Sequence, residues 1–337
     1  MSAVGNAIGA RAITRPRAGL ALGSLGVLGF SFSLPATRLA VEDLDPWFVT
    51  FARAVAAAAL AALYLVAIRA PRPTRAQWPS LAIVAGGAVV GFPLLTGLAL
   101  VTSEAQHGAV VVALLPAATA LAAVARAGER PGALFWIAAV AGLLVVLAFT
   151  VAGASGAITG ADIFLLGAVA VCAVAYAEGG ALSRELGGAQ TICWALVLSV
   201  PVTLPIAAVG AATTSLHAGP DAWLGLAYVS VISMFLGFFA WYAGLARGGV
   251  ARVGQVQLLQ PLLTFAWAGL LLGEHVGLGT VLAAAGVLAS VVVTQRARVS
   301  GGVASRPAAG RPSAGDSTVP SSRSAGAQPC ADVAASP

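Results

Sequence analysis

Residues 259–274 read LQPLLTFAWAGLLLGE, and residues 114–129 read LLPAATALAAVARAGE. Each stretch sets a proline near the start of an apolar run and closes on Gly-Glu. Pro116 and Pro261 stand 145 residues apart, and so do Glu129 and Glu274. The register extends outward from there. At the same offset Trp78 and the Leu81-Ala82 pair fall on Trp223 and Leu226-Ala227, while at an offset of 146 Phe30 and Arg38 fall on Tyr176 and Arg184. A pattern written twice at one spacing predicts a chain of two equivalent halves.

Composition says what the halves are made of. Of 337 residues 59% are hydrophobic and 9% charged, and the mean hydropathy is +0.93, whereas a soluble domain carries about 25% charged residues. An integral membrane protein is expected. Apolar runs near the length of roughly 20 residues that crosses a hydrocarbon core lie at 18–38, 47–68, 78–100, 105–126, 132–151, 160–181, 188–209, 221–245, 249–273 and 275–295. These runs do not alternate polar with apolar residues, which excludes the strands of a β-barrel.

The expected fold is therefore an all-α membrane protein of ten transmembrane helices in two five-helix repeats, 18–151 and 160–296. Five is an odd number, so the second repeat must enter the membrane from the side opposite to the first. That is an inverted-topology repeat, the architecture of many secondary transporters. A cytoplasmic segment, 1–17, precedes the repeats; a tail, 297–337, rich in Ser, Ala, Gly and Pro, is expected to be disordered and cytoplasmic. Arg11, Arg15 and Arg17 precede a first run long enough to span, so an uncleaved anchor is expected rather than a signal peptide.

Charge placement sets the orientation. With the N-terminus inside, the inner connections hold Arg69, Arg72, Arg75, Arg126, Arg130, Arg184 and Arg247, and the inner C-terminus holds Arg296 and Arg298. The outer connections hold Arg38 against Glu42, Asp43, Asp45, Glu104, Asp162, Asp221 and Glu274. Both termini are thus expected in the cytoplasm of a multi-pass protein of the cell membrane. The net charge of +6 follows from this inner-face pattern and argues against a nucleic-acid partner. Expected partners are a small-molecule substrate and the lipid bilayer; a homodimer is compatible with the pattern.

The three cysteines, Cys172, Cys193 and Cys330, have neither disulfide nor metal-site spacing. His107, His217 and His275 all fall near the outer face, outside any His-Glu-x-x-His frame. No cofactor or metal is expected, and an intramembrane enzyme is the weaker alternative. A non-transporting receptor or scaffold is the other. No phosphate-binding loop of an ATPase is present, so gradients are the expected energy source.

The residues that carry the repeat also carry a resemblance. Pro46, Phe51 and Arg53 in the second run, Leu114 to Pro116 with Gly128-Glu129, the Gly132–Gly142 run, Trp241 to Gly244, and Pro261 with Leu272-Gly273-Glu274 together resemble the drug/metabolite transporter superfamily, in particular its ten-helix members with two EamA domains. The resemblance covers residues 18–296 and implies an exporter or exchanger of small metabolites, amino acids or drugs. One departure is that the first helix has Phe30-Ser31-Phe32 where members often carry a tryptophan.

Within this frame Arg53 stands out, because a charge inside an apolar span is costly unless it faces protein or a wet cavity. It reads either as an anchor for an anionic or zwitterionic substrate or as a structural partner of an outer acid such as Glu104. Gln257, Gln260, Thr264 and Trp267 recur at spacings of three and four and so share one helix face. They read as cavity lining, with amides that both donate and accept, or as interhelical hydrogen bonding. Pro116 and Pro261 each remove a backbone donor in equivalent helices and are candidate hinges.

Overall fold

The computed structural model describes residues 16–127, 132–152, 158–248 and 255–303. The segment 1–15, Glu129, Arg130 and the tail beyond 303 lie outside the described residues. Those described form helices and connections, with no strand among them. Among the described residues seven helices are long and apolar enough to cross a membrane, and three shorter apolar helices, Ala133–Phe149, Val256–Leu271 and Leu278–Thr294, take the fifth, ninth and tenth places.

We number these spans α1 to α10. α1 comprises Pro16–Ser31 and Ser33–Asp43, α2 Pro46–Ala67, and α3 Trp78–Val84 and Phe92–Leu100 around a π-helical turn, Ala85–Gly91. α4 comprises Ala105–Val112 and Leu115–Ala127, and α5 is Ala133–Val151. α6 runs Gly160–Leu186, α7 Gly188–Thr213, and α8 Pro220–Tyr228 and Phe238–Gly248 around a second π-helical segment, Val229–Gly237. α9 opens with a 3-10 turn, Gln255–Leu259, and continues as Gln260–Leu271, and α10 is Leu278–Val303. α10 thus runs past Arg296, where the expected repeat ends.

Local sequence explains the starts. Asp45 caps α2 by accepting from the amides of Trp47 and Phe48 at 2.9 and 3.0 Å, and Pro46, whose missing N–H costs nothing there, follows it. Thr159 and Asp162 form a reciprocal capping box on α6.

Packing pairs the two halves. α2 lies along α7, α5 along α10, α1 along α8, α3 along α6, α4 along α6, α1 along α9, and α4 meets α9. Exchanging α1–α5 for α6–α10 turns this set of pairs into itself, as a pseudo-two-fold requires. Small residues allow the approach: Ala54, Ala57, Ala58 and Ala61 of α2 are buried, with Cys193 and Ala195 of α7. The outward faces keep apolar side chains exposed, among them Leu63, Val66, Ile137, Leu144, Leu270 and Leu282, as lipid contact demands.

The connections sort to two ends. At one, Glu274 accepts from the amides of Ala105 and Gln106 at 2.8 and 3.0 Å. There also the Gln106 amide donates to His275 O, His107 Nε2 meets Asp162 Oδ1 at 2.6 Å, and Gly219 N–H donates to Asp43. Arg38 reaches the carbonyls of Leu100 and Val101 at the same end. The other end holds the Arg126–Glu178 ion pair and the Gln77–Glu185 hydrogen bond. The α1–α2, α3–α4, α5–α6, α7–α8 and α9–α10 connections therefore share one end of the bundle.

Candidate functional site

Three devices bend the spans around the centre of the bundle. The first is in α1. Pro35 has no N–H to give the Ser31 carbonyl four residues back, and the helix breaks at Phe32, whose φ is −88° and ψ 0°. Side chains from the other half bond to the residues at the break, one of them to the freed carbonyl. Thr264 Oγ1 donates to Ser31 O at 2.7 Å, Trp267 Nε1 to Ser31 Oγ at 3.0 Å and Tyr228 OH to Gly29 O at 3.0 Å.

The second device is the pair of π segments. They occupy equivalent places in α3 and α8 and end on Gly91 and Gly237. A Cβ at either glycine would lie 2.8 or 2.9 Å from the carbonyl oxygen of Gly86 or Ile232, five residues back, so only glycine fits without backbone movement. Helical π turns are rare and concentrate at functional sites.

The third device is the proline pair. α4 is interrupted at Ala113–Leu114 and restarts at Leu115; α9 leaves its 3-10 turn and starts as an α-helix at Gln260. Pro116 and Pro261 are thus each the second residue of a restarted helix. Each withholds the amide that would ordinarily bond the carbonyl of Val112 or Gln257.

These irregularities surround a cavity lined from both halves. Its polar lining includes Arg53, Ser33, Thr37, Thr96, Gln257 and Gln260, and its apolar lining includes Phe30, Leu34, Phe92, Tyr176, Met234 and Phe238. A smaller space adjoins it, lined by Pro116, Pro261 and Thr264 and sharing Leu34, Val112, Gln257 and Gln260. The rings of Phe30 and Tyr176 stand on Phe238, with centroids 5.0 and 6.2 Å away.

Arg53 is 6% exposed, and its Nε has no hydrogen-bond partner among the described residues. No carboxylate of a described residue pairs with it. Glu104, named above as one possible structural partner, accepts from Gln106 Nε2 at 2.9 Å. Of the hydroxyls around Arg53, Ser33 donates to Ser233 Oγ at 2.7 Å and Thr96 to Phe92 O.

The structure therefore brings Arg53, Gln257 and Gln260 together on one cavity and sets Thr264 beside its neighbour. It does not bring Trp267 into either space: the indole holds Ser31 and meets Phe32 edge-on at 5.9 Å. Sequence reasoning missed Thr37, Phe238 and Met234, which carry no signal beyond belonging to apolar spans. It noticed Tyr176 as the equivalent of Phe30 without placing either in a cavity.

Comparison with known proteins converges on this architecture. The EamA-like transporter family model matches twice, over residues 17–151 and 159–296. The chain belongs to the EamA-like transporter family. It is 46% identical over 282 residues to the uncharacterized transporter YdeK of Bacillus subtilis (strain 168), a match that spans 81% of this chain and 96% of that relative. A solved crystal structure 20% identical in sequence superposes with a TM-score of 0.55, covering 84% of this chain and 98% of that one, and shows the fold alone. This EamA-family chain is a multi-pass, all-α membrane transporter.

Proposed function

We propose that this transporter is a secondary carrier that exports or exchanges a small organic solute across the cell membrane by alternating access. Binding falls to Arg53, Gln257 and Gln260, and bending to Pro116 and Pro261. The observation that carries the reading is the cavity: it draws lining from both halves, lies among irregular helices, and holds a buried arginine with no partner among the described residues. Irregular backbone at membrane depth is tolerated where it lines such a space.

The inverted repeat is supported by the gathering of the five odd-numbered connections at one end, which makes the two halves traverse the bilayer in opposite senses. An acid-rich end facing out and an arginine-rich end facing in put both termini in the cytoplasm. Two halves of this kind exchange conformations, opening the shared site first to one side and then to the other. With no nucleotide-binding motif in the sequence, a solute or ion gradient supplies the energy.

The test is a metabolite comparison of cells with and without the gene, followed by flux of the enriched solute in vesicles holding the purified chain. At least one small solute should accumulate outside the expressing cells and move in the vesicles. Identical profiles together with vesicles that pass none of the solutes tested would sink the proposal.

A further inference from the structure

We infer that the central cavity takes a small organic monoanion: a carboxylate on an apolar body. The inference rests on the carrier reading and narrows it to a substrate class.

The charge balance comes first. Arginine stays protonated in proteins and offers five donors in a planar fork. Among the described residues Arg53 is buried with its Nε unpartnered, and those that line its cavity include no aspartate or glutamate. The other ionisable groups there, Cys172 and Tyr176, are a thiol and a phenol, types that are ordinarily neutral at neutral pH. The cavity thus presents one uncompensated positive charge. A bidentate carboxylate is the ligand whose geometry matches that fork and restores neutrality.

The remaining polar capacity fits the same ligand. Ser33 and Thr96 have spent their hydroxyl protons on Ser233 and Phe92. The Thr37 hydroxyl and the amides of Gln257 and Gln260 make no hydrogen bond to a described residue, so these donors remain for a second carboxylate oxygen or a small polar substituent. The rest of the wall, centred on Phe30, Tyr176 and Phe238, accepts an apolar body.

The same balance excludes the close relatives of that ligand. A primary amine has no counter-charge in the lining and is repelled by Arg53. An amino acid gains the carboxylate contact but must leave its ammonium in a cavity without an acid, so it binds less well than the acid that lacks the amino group. A neutral amide leaves the guanidinium unpaired.

Four molecules of nearly one shape separate these cases: 3-phenylpropanoate, L-phenylalanine, 3-phenylpropanamide and 2-phenylethylamine. Binding of each to the purified full-length chain in lipid nanodiscs is read by titration calorimetry and by the shift in thermal midpoint. The acid should bind at least about ten times more tightly than phenylalanine, and the amide and amine should show no saturable binding. Arg53→Gln should weaken the acid by about ten to a hundred times, from the usual strength of a hydrogen bond to a charged group. Arg53→Lys keeps the charge without the fork and should weaken it by about ten times while still preferring acid to amide; it decides the matter if the glutamine variant fails to fold.

An amine or amide that binds as tightly as the acid, an acid affinity unchanged in Arg53→Gln, or no saturable binding by any of the four overturns the assignment. Binding is measured here without flux. An acid that binds but is never carried leaves this inference standing and removes the carrier reading, whereas flux of a cation without acid binding does the reverse.

Discussion

α1 and α6 open the two repeats and occupy equivalent places, yet α1 breaks at Phe32 while α6 runs unbroken over Gly160–Leu186. The difference traces to one residue. Pro35 deprives Ser31 of its helical donor, and the equivalent position 146 residues on is Ala181, whose amide keeps the ladder whole. Features present in both halves, by contrast, are the π segments, the proline restarts and the packing pairs. On the proposed carrier reading the duplicated features are the scaffold that moves, and the unduplicated ones, the α1 break and Arg53 (whose equivalent is Ser199), give the proposed site its chemistry and its asymmetry. Hydroxyl and indole donors of α9 accompany the break, so the asymmetry is a bonded feature rather than a loose end.

The largest effect should come from forcing α6 to copy α1. In Ala181→Pro the carbonyl of Ala177 loses its donor, and no hydroxyl of a described residue bonds it as Thr264 bonds Ser31. An interior proline costs about 3 kcal/mol or more, so the variant should be poorly inserted and scarce by immunoblot of membranes. Normal abundance would mean that α6 tolerates a break, and the contrast between the two helices would lose its basis.

A smaller effect tests the duplicated part. Gly91→Ala and Gly237→Ala each press a methyl on the carbonyl five residues back, an overpacking that costs typically about 1 to 3 kcal/mol. Because the two segments are equivalent, both should lower the thermal midpoint of the purified protein, and by similar amounts. A loss confined to one would show that the π segments are alike in shape only.

A cycle between Pro35 and Thr264 sharpens the asymmetric part. Thr264→Val leaves the Ser31 carbonyl without its hydroxyl in a site where Thr264 is 1% exposed. The cost should be about 0.6 to 2 kcal/mol, from side-chain hydrogen bonds between membrane helices at the lower end and an unsatisfied buried carbonyl at the upper. Adding Pro35→Ala supplies an amide to that carbonyl, so the double variant should recover part of the midpoint. Strict additivity would show that the two residues do not serve one carbonyl.

How much of this was legible beforehand differs by device. Pro116 and Pro261 could be found because proline is locally decisive and the 145-residue spacing doubles the signal. The ten apolar runs were visible because a bilayer demands a fixed length of apolar chain. The π segments were not, since α8 reaches the same form as α3 with no proline corresponding to Pro93, and glycines in apolar spans read equally well as packing. Pro35 stood in the sequence, but its meaning depends on Thr264, Trp267 and Tyr228, which arrive only through tertiary contact. The ninth-helix stripe illustrates the limit: spacing put Gln257, Gln260, Thr264 and Trp267 on one face, and only packing separated the two glutamines on the cavity from the tryptophan bound to Ser31.

The smallest change in stability should come from the prolines of α4 and α9. Replacing Pro116 or Pro261 with Ala returns an amide to the carbonyl of Val112 or Gln257, which strengthens the local ladder while losing the proline's restriction of the unfolded chain. These contributions oppose each other, and the net change should stay within about 0.5 kcal/mol, the ordinary range for substitutions that disturb no packing. The carrier reading nevertheless requires a kinetic effect, because a straightened segment stiffens a point where the halves bend. Transport of whichever solute the metabolite comparison yields should slow in both variants, with abundance, insertion and substrate affinity unchanged. Equal slowing would place both prolines among the duplicated, moving features. Slowing in Pro261→Ala alone would tie the motion to α9, the helix that also holds the α1 break through Thr264 and Trp267. Rates unchanged in both would leave the prolines as shape without motion.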